Sequence, residues 1–152
     1  MKNKININRY RYIDHISDIG IEFYGNTLPE LFENAAAGMF SIMCDLKLIK
    51  PTAKKSTTVS GKYTGYGDLL VSWLDKLIYL YEVNNMLFSE FKVVEIKEKN
   101  SNTTLKAEIY GEKINRHRHE IRAAIKAATY HKLEVRKNKA GRNWEGKVIF
   151  DV

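Results

Sequence analysis

Residues able to bind a cation lie near both ends of the chain. Near the start, the sequence DHISD contains Asp14, His15 and Asp18, and an apolar stretch follows it directly. At the other end, the apolar run VIF leads into Asp151 and Val152, where a side-chain carboxylate and the terminal carboxylate are neighbours. Like charges on ordered backbone repel each other at short range, and a bound cation would hold both.

The two ends together predict an oxygen-only metal site, provided that the first and last strands are neighbours in the fold. Asp18, Asp151 and the carboxylate of Val152 would then suit Ca²⁺, Mg²⁺ or Mn²⁺ rather than structural zinc. The spacing Asp-x-x-x-Asp alone is weakly specific, since such residues more often cap turns or face water. Three further side chains could form hydrogen bonds to these ligands without binding the metal themselves, namely Asp14, His15 and His131.

The other histidines do not form a catalytic arrangement in the sequence. His117 and His119 alternate with arginines, and this positive surrounding disfavours a cation. The sequence has no Gly-rich phosphate loop, no G-x-S-x-G elbow and no H-E-x-x-H helix. We therefore predict that the protein is not an enzyme. A metal-dependent hydrolase that uses His15, His131 and the aspartates is the catalytic alternative.

The composition is that of a globular protein inside the cell. With 44% hydrophobic and 28% charged residues, the 152-residue chain is predicted to form one domain over residues 1–152. It lacks the run of about 20 apolar residues that a membrane-spanning helix needs. The start MKNKININ lacks the apolar stretch of a secretory signal, so a cytoplasmic location is expected. Cys44 is the only cysteine, which excludes an internal disulfide and a thiolate metal cluster.

The net charge of +7 is concentrated in the last quarter of the sequence. Residues 1–112 contain 14 Lys/Arg and 14 Asp/Glu, whereas residues 113–152 contain 11 and 4. Such a basic surface favours RNA or an acidic protein as partner, although it can also be a solvated face that promotes solubility. In residues 9–12, with the sequence RYRY, cations alternate with aromatic rings that can stack on bases.

Two amphipathic helices are predicted to supply most of the core. Residues 27–30, with the sequence TLPE, have the form of a capping box, and Asp68 can cap a second helix. A third, short helix is predicted over residues 119–128. The first apolar stripe comprises Leu31, Phe32, Ala35, Ala36, Met39, Phe40 and Met43, and the second comprises Leu69, Leu70, Trp73, Leu74, Leu77, Ile78 and Tyr81.

Segments rich in β-branched and aromatic residues predict six strands. The polar residues 99–102 join two of them into a hairpin, which implies antiparallel pairing. The predicted fold is α+β, a single domain with a mostly antiparallel sheet and two main helices packed on it. The strands are predicted over residues 19–24, 56–63, 88–97, 104–110, 130–137 and 144–152.

The sequence resembles the archease family along nearly its whole length. The resemblance joins the first predicted strand, both main helices and the C-terminal strand. Ser17 stands where the family usually has alanine. The segments that carry the resemblance are DHISDIG at 14–20, LFENAA at 31–36, DLLVSWL at 68–74, KAATYH at 126–131 and VIFDV at 148–152.

This resemblance implies an accessory protein for the GTP-dependent RNA ligase of tRNA splicing and RNA repair. That ligase joins a 2′,3′-cyclic phosphate or 3′-phosphate end to a 5′-hydroxyl end, and archeases promote guanylylation of its histidine and restore its turnover. The family's metal-binding positions correspond to Asp18, Asp151 and Val152, with Ca²⁺ as the expected ion. The protein would then contact tRNA or other RNA only indirectly, through the ligase, and no membrane would be involved. The alternative is a general RNA-binding or RNA-chaperone module that uses the basic C-terminal quarter.

Overall fold

The computed structural model describes residues 9–14 and 18–152, without the side chain of Asp14. These residues form eight strands, two α-helices and one turn of 3₁₀-helix at Leu46–Leu48. The helices are α1 (Leu28–Met43) and α2 (Tyr66–Asn84). The strands are β1 (Tyr10–Asp14), β2 (Ile19–Gly25), β3 (Ala53–Gly61), β4 (Met86–Lys99), β5 (Asn102–Lys113), β6 (Ala127–Ala128), β7 (Glu134–Lys137) and β8 (Trp144–Asp151).

The strands form two antiparallel sheets. One has the order β1-β2-β8-β6, and β7 also pairs with β8, whereas the other has the order β3-β5-β4. The predicted α+β class with mostly antiparallel pairing and two main helices is confirmed, but the strands are divided between two sheets rather than one. Strand β8 pairs with β2 along one side and with β6 and β7 along the other. It is therefore a central strand.

Helix α1 packs against β2 of one sheet and β4 of the other. Its predicted apolar stripe is fully buried. The Phe40 ring meets Phe88 edge-on with centroids 5.7 Å apart and stacks on Phe91 at 5.5 Å. On the opposite side, Gly38 permits close approach, since an added Cβ would lie 2.8 Å from Ile21 Cδ1. The helix thereby fixes β2 relative to the second sheet.

The start of α1 confirms the predicted capping motif. Thr27 Oγ1 accepts a hydrogen bond from the Glu30 amide at 3.2 Å. The Glu30 carboxylate accepts one from the Asn26 amide at 2.6 Å, one residue before the amide that a capping box usually uses. Both bonds satisfy amide donors that have no partner within the helix.

Removing this cap is expected to lower the free energy of unfolding. In Thr27→Ala the Glu30 amide loses its side-chain acceptor, which typically lowers stability by about 1 kcal/mol. Urea denaturation followed by circular dichroism measures the change. Thr27→Ser keeps the hydroxyl and should remain within about 0.5 kcal/mol of the parent protein. An equal loss in both variants would assign the effect to the methyl group instead.

Helix α2 covers the other side of α1. Its predicted stripe is buried except for Tyr81, which is half-buried. Trp73 is fully buried, and its indole Nε1 donates to Phe32 O of α1 at 3.0 Å. Asp68 is not the N-cap as predicted, because the helix begins at Tyr66 after Gly65, whose position has no side-chain cap. Asp68 lies in the first turn and accepts hydrogen bonds from the hydroxyl of Thr64 and from its amide at 3.2 Å. In the described part of the chain, neither helix has the length and apolar character needed to cross a bilayer.

Strands β4 and β5 form the predicted hairpin and are longer than predicted. Asn100 and Ser101 connect them with φ values of 53° and 68°. Positive φ at both central residues is the geometry of a type I′ turn, whose twist matches that of the flanking strands. Two register shifts, after Phe88 and after Val93, interrupt the pairing of β4. Such bulges increase the bend of a strand, here the strand that packs on α1.

The prediction of a short helix over residues 119–128 is wrong. The segment is extended and ends in the short strand β6. Ile125 is buried, and Ile121 and Ala123 pack against the core, whereas the residues between them are exposed. This period of two belongs to extended backbone rather than to a helix.

Two further differences concern strands. The strand predicted over residues 130–137 is shorter and starts at Glu134. A turn precedes it, in which the Leu133 amide donates to Tyr130 O at 3.2 Å. Strand β1, which pairs with β2, has no counterpart in the sequence prediction.

Candidate functional site

The first and last predicted strands are neighbours in one sheet. Strands β2 and β8 pair antiparallel, with Ile19 opposite Phe150. Asp18 directly precedes Ile19 and Asp151 directly follows Phe150, so the two aspartates flank the last pair of this ladder, with Asp18 in a bend just before β2. The backbone therefore meets the condition on which the predicted metal site depends.

Strand β6 holds the end of β8 from the other side. Ala127 pairs with Asp151, and the Lys126 amide donates to Asp151 O at 2.8 Å. Two residues later, the Ala128 amide donates to Asp75 Oδ1 of α2 at 2.9 Å. Asp151 thus lies on backbone that is fixed by neighbouring strands, and little backbone order remains to be imposed when its carboxylate binds a ligand.

The chemistry of Asp18 and Asp151 fits a hard cation. Asp151 is exposed and Asp18 is half-buried. Like charges repel each other at short range, and carboxylate oxygens are the usual ligands of Ca²⁺ and Mg²⁺. Within residues 9–14 and 18–152, no three side chains of His, Cys, Asp or Glu are grouped so that they could hold a metal. A site on this pair therefore needs another oxygen, for which the carboxylate of Val152 is the predicted donor.

The residues predicted to support the metal ligands occupy different places. Asp14 is the last residue of β1, so its backbone reaches the same edge of the sheet as Asp18. His15 lies outside the described residues. His131 is exposed in the turn between β6 and β7, several positions along β8 from Asp151. The metal-site roles of all three residues stay predictions.

Strand β6 is held in place by contacts that were not predicted from the sequence. Asp75 of α2 accepts the Ala128 amide, and burial raises the pKa of the Asp75 carboxyl while this hydrogen bond acts in the opposite direction. Both the amide and the hydroxyl of Thr129 donate to Ile149 O, at 3.0 and 2.7 Å. Helix α2 and strand β8 are thereby tied together next to Asp151.

A buried ionic network fastens the connection from β5 to β6. The Arg118 guanidinium donates to both carboxylate oxygens of Glu112, at 2.7 and 2.8 Å, and His119 Nε2 lies 2.8 Å from one of them. His119 Nδ1 accepts from the Asn115 amide at 2.9 Å, which places the ring proton on Nε2. Hydrogen bonds from Arg118 lower the pKa of Glu112 to about 2, against the opposing effect of burial.

The same network explains the arginine-flanked histidines. His117 is exposed, whereas His119 is only 2% exposed and serves as a hydrogen-bonding residue at the edge of the core. Farther along the segment, the Arg122 amide and guanidinium donate to backbone carbonyls near the end of α1, both at 2.7 Å. These contacts hold the segment that connects β5 to β6, next to the candidate site.

Comparison with known proteins identifies the family. Residues 10–152 match the model of the archease protein family (MTH1598/TM1083). The chain belongs to the archease family. Protein archease of Methanosarcina barkeri is 38% identical over 144 residues, which cover 95% of this chain and 96% of that relative. The match includes both strands that lead into the two aspartates of this archease.

Two solved structures have the same fold. The solution structure of Methanobacterium thermoautotrophicum protein 1598 is 33% identical, with a TM-score of 0.81, and covers 95% of this archease and 99% of that chain. The crystal structure of a Thermotoga maritima protein, described as an archease and possible chaperone, is 22% identical, with a TM-score of 0.56, and covers 93% and 96% of the two chains. The second likeness concerns the fold alone.

Proposed function

We propose that this archease is a metal-binding accessory protein that activates a GTP-dependent RNA ligase. It acts in the cytoplasm, where the ligase joins RNA ends during tRNA splicing and RNA repair. The ligase carries out the chemistry, and the archease promotes guanylylation of the ligase's histidine and its repeated turnover. The pairing of Ile19 with Phe150, which brings the neighbouring Asp18 and Asp151 to the same end of the sheet, supports this proposal together with family membership.

The proposed ion is Ca²⁺, with Mg²⁺ and Mn²⁺ as alternatives. Asp18, Asp151 and the terminal carboxylate of Val152 would hold it. A bound cation neutralises these carboxylates and can polarise a phosphate oxygen. The chain's own contribution is positioning, because β6 holds the backbone of Asp151 on one side and β2 pairs with the preceding Phe150 on the other.

We expect the ligase to bind at the end of the sheet that carries Asp18, Asp151 and Val152, which we call the acidic edge. Asp151 and Val152 are both exposed, so a partner can reach them without unfolding the sheet. Basic residues that bind the phosphates of GTP would give the ligase a surface complementary to these carboxylates. Docking there would influence where the nucleotide or its metal lies.

The direct test is a guanylylation assay on the purified ligase from the same organism. GTP labelled on the α-phosphate is followed into the ligase's histidine, and RNA joining is followed over several turnovers, with and without the archease. We expect faster guanylylation and turnover beyond one equivalent only when the archease is present. Identical time courses in both reactions would refute the proposal.

Adding one glycine after Val152 is expected to weaken cation binding at least tenfold. The extension moves the terminal carboxylate by about 3.5 Å, the span of one extended residue, and leaves an uncharged peptide carbonyl in its place. Calorimetric titration of chelator-treated protein with Ca²⁺ measures the affinity. Val152→Ala keeps the terminal carboxylate in position and should bind like the parent protein. Unchanged affinity after the extension would remove Val152 from the ligand set.

A further inference from the structure

The positive charge of the last quarter is distributed unevenly over the structure. Of its eleven Lys and Arg side chains, five bond to other groups of the protein. By contrast, Lys137, Lys139 and Arg142 are exposed around a single loop, the six residues that join β7 to β8. The five engaged side chains are those of Lys113, Arg118, Arg122, Arg136 and Lys147.

The loop that carries these cations is itself well structured. The Asn138 amide donates to Asn143 O at 2.7 Å and closes the loop. Within it, the Gly141 amide donates to Asn138 O at 2.8 Å, and the Arg142 amide donates to Asn138 Oδ1 at 3.3 Å. Gly141 has φ of +70°, which suits glycine. The loop thus presents Arg142 and its neighbours with little ordering left to impose upon binding.

An open cleft of about 690 Å³ lies beside this loop. Trp144 and Tyr24 bring aromatic rings to the wall of the cleft, and Asn138 and Asn143 bring amides. Trp144 is half-buried, and the ring of Tyr66 meets it edge-on with centroids 5.8 Å apart. A fixed indole beside amide groups is a suitable surface for a nucleobase, which stacks on the ring and hydrogen-bonds through its edges.

Charge within and around the cleft separates the place for a base from the place for a phosphate. Glu30, Glu145 and Arg9 line the cleft, so its charged wall residues carry a net charge of −1, in contrast to the cations of the loop outside. Lys137, which is not a wall residue of the cleft, has its Nζ over the Trp144 ring, 5.5 Å from the centroid, so a base would use the part of the indole that faces the cleft. A nucleotide would therefore place its base inside the cleft and its phosphate on the cations outside.

We infer that the β7–β8 loop and the adjoining cleft bind single-stranded RNA, with a base stacked on Trp144 and the backbone phosphates on Lys137, Lys139 and Arg142. RNA combines a stacking base and a phosphate in each nucleotide, which matches an indole next to cations, whereas acidic side chains of a protein would engage the cations alone. This surface lies at the end of β8 opposite Asp151, and it binds RNA without the ligase. The RYRY segment is not part of it, except for Arg9 at the cleft wall, because Arg11 pairs with Glu22 and Tyr12 bonds to Ser41.

The test is a fluorescence titration of the purified archease with a twelve-nucleotide oligoadenylate between 50 and 200 mM salt. Stacking should quench Trp144, while the buried Trp73 gives a constant background. We expect Lys139→Glu/Arg142→Glu to weaken binding at least tenfold and to flatten the salt dependence, since each phosphate contact adds about 0.7 to the logarithmic slope. Trp144→Phe should remove the quenching.

Arg116→Glu/Lys132→Glu is the matched control, with the same change in charge at two exposed residues elsewhere in the last quarter. It should weaken binding less than threefold. Equal weakening by both double variants, or no binding at 50 mM salt, would overturn the inference. Polyglutamate that competes as well as the oligonucleotide would overturn it in favour of an acidic protein partner. A third outcome would also overturn the inference. If polyphosphate binds as tightly as the oligonucleotide and RNA does not quench Trp144, the surface is a general anion-binding patch.

Discussion

Asp151→Asn is expected to abolish cation binding and ligase activation while the fold stays intact. Asparagine has nearly the same shape as aspartate and keeps the backbone pairing of β8, but it carries no negative charge. Loss of a charged ligand from a small oxygen site should weaken Ca²⁺ affinity at least a hundredfold, equivalent to about 2.7 kcal/mol. Calorimetric titration measures the affinity, and the guanylylation assay measures activation. Asp18→Asn should behave in the same way.

Glu22→Gln is the matched control for these two substitutions. Glu22 lies on β2 in the same sheet, opposite Lys147 on β8, four positions from Asp18. Its substitution also removes one carboxylate, but far from the proposed ion, so binding and activation should be unchanged. Full activation by both aspartate variants would refute the proposed function. Lost Ca²⁺ binding with full activation would separate the metal from the accessory role.

Glu112→Gln is expected to destabilise the protein by about 3 kcal/mol at pH 7. Glu112 is the common acceptor for Arg118 and His119, and its side chain is only 12% exposed. Breaking a buried ionic network typically costs about 3–5 kcal/mol, and the lower end of this range applies here because the Arg118 side chain is 35% exposed. The midpoint of thermal unfolding should fall by roughly 6–12 °C for a chain of this length. Differential scanning calorimetry measures this shift.

The pH dependence gives this prediction a second test. The pKa of Glu112 in the folded protein is lowered to about 2 from an ordinary value of 4.5. The contribution of Glu112 to stability is therefore complete above about pH 4.5 and is lost as the pH falls toward 2. Glu112→Gln should differ from the parent protein at pH 7 and only slightly near pH 2. Urea denaturation at several pH values measures the convergence.

Glu108→Gln is the matched control for Glu112→Gln, because Glu108 lies on the same strand but forms an exposed pair with Lys54 at 3.9 Å. Such surface pairs contribute about 0–1 kcal/mol, so its substitution should change stability little at any pH. Equal effects of the two substitutions would show that the buried network does not stabilise the connection from β5 to β6.

The helices could be predicted from sequence because their signals are local. The cap at Thr27 and the fully buried apolar stripe of α1 both depend on residues within a few turns of one another. The hairpin of β4 and β5 is equally local, since Asn100 and Ser101 tolerate positive φ. In each case the neighbouring residues contain most of the information that determines the structure.

The segment after β5 could not be predicted in this way. Alternation of Ile121, Ala123 and Ile125 is a signal for extended backbone, but the segment lacks a regular strand partner over most of its length. It is held instead by single contacts with distant elements, such as the bond from the Arg118 guanidinium to Leu48 O at 3.0 Å. Tertiary contacts of this kind leave no periodic pattern in the sequence.

The division of the strands into two sheets also could not be predicted from the sequence. Alternation shows that a strand has an inner face, but it does not show which sheet that face belongs to. The metal-site prediction depends on the pairing of the first and last predicted strands, which alternation alone does not determine and which the pairing of Ile19 with Phe150 establishes. The anchoring role of Asp75 depends on the packing of α2 against β6, which no local spacing encodes.

The place of β8 has a consequence for biosynthesis. Its pairing with β2 joins segments from nearly opposite ends of the polypeptide, and closing such a long loop is slow and occurs late in folding. While the ribosome is still translating the middle of the message, the hairpin of β1 and β2 has an open edge without its partner. Chains released before β8 has been synthesised would therefore lack Asp151 and would leave this edge of β2 unpaired.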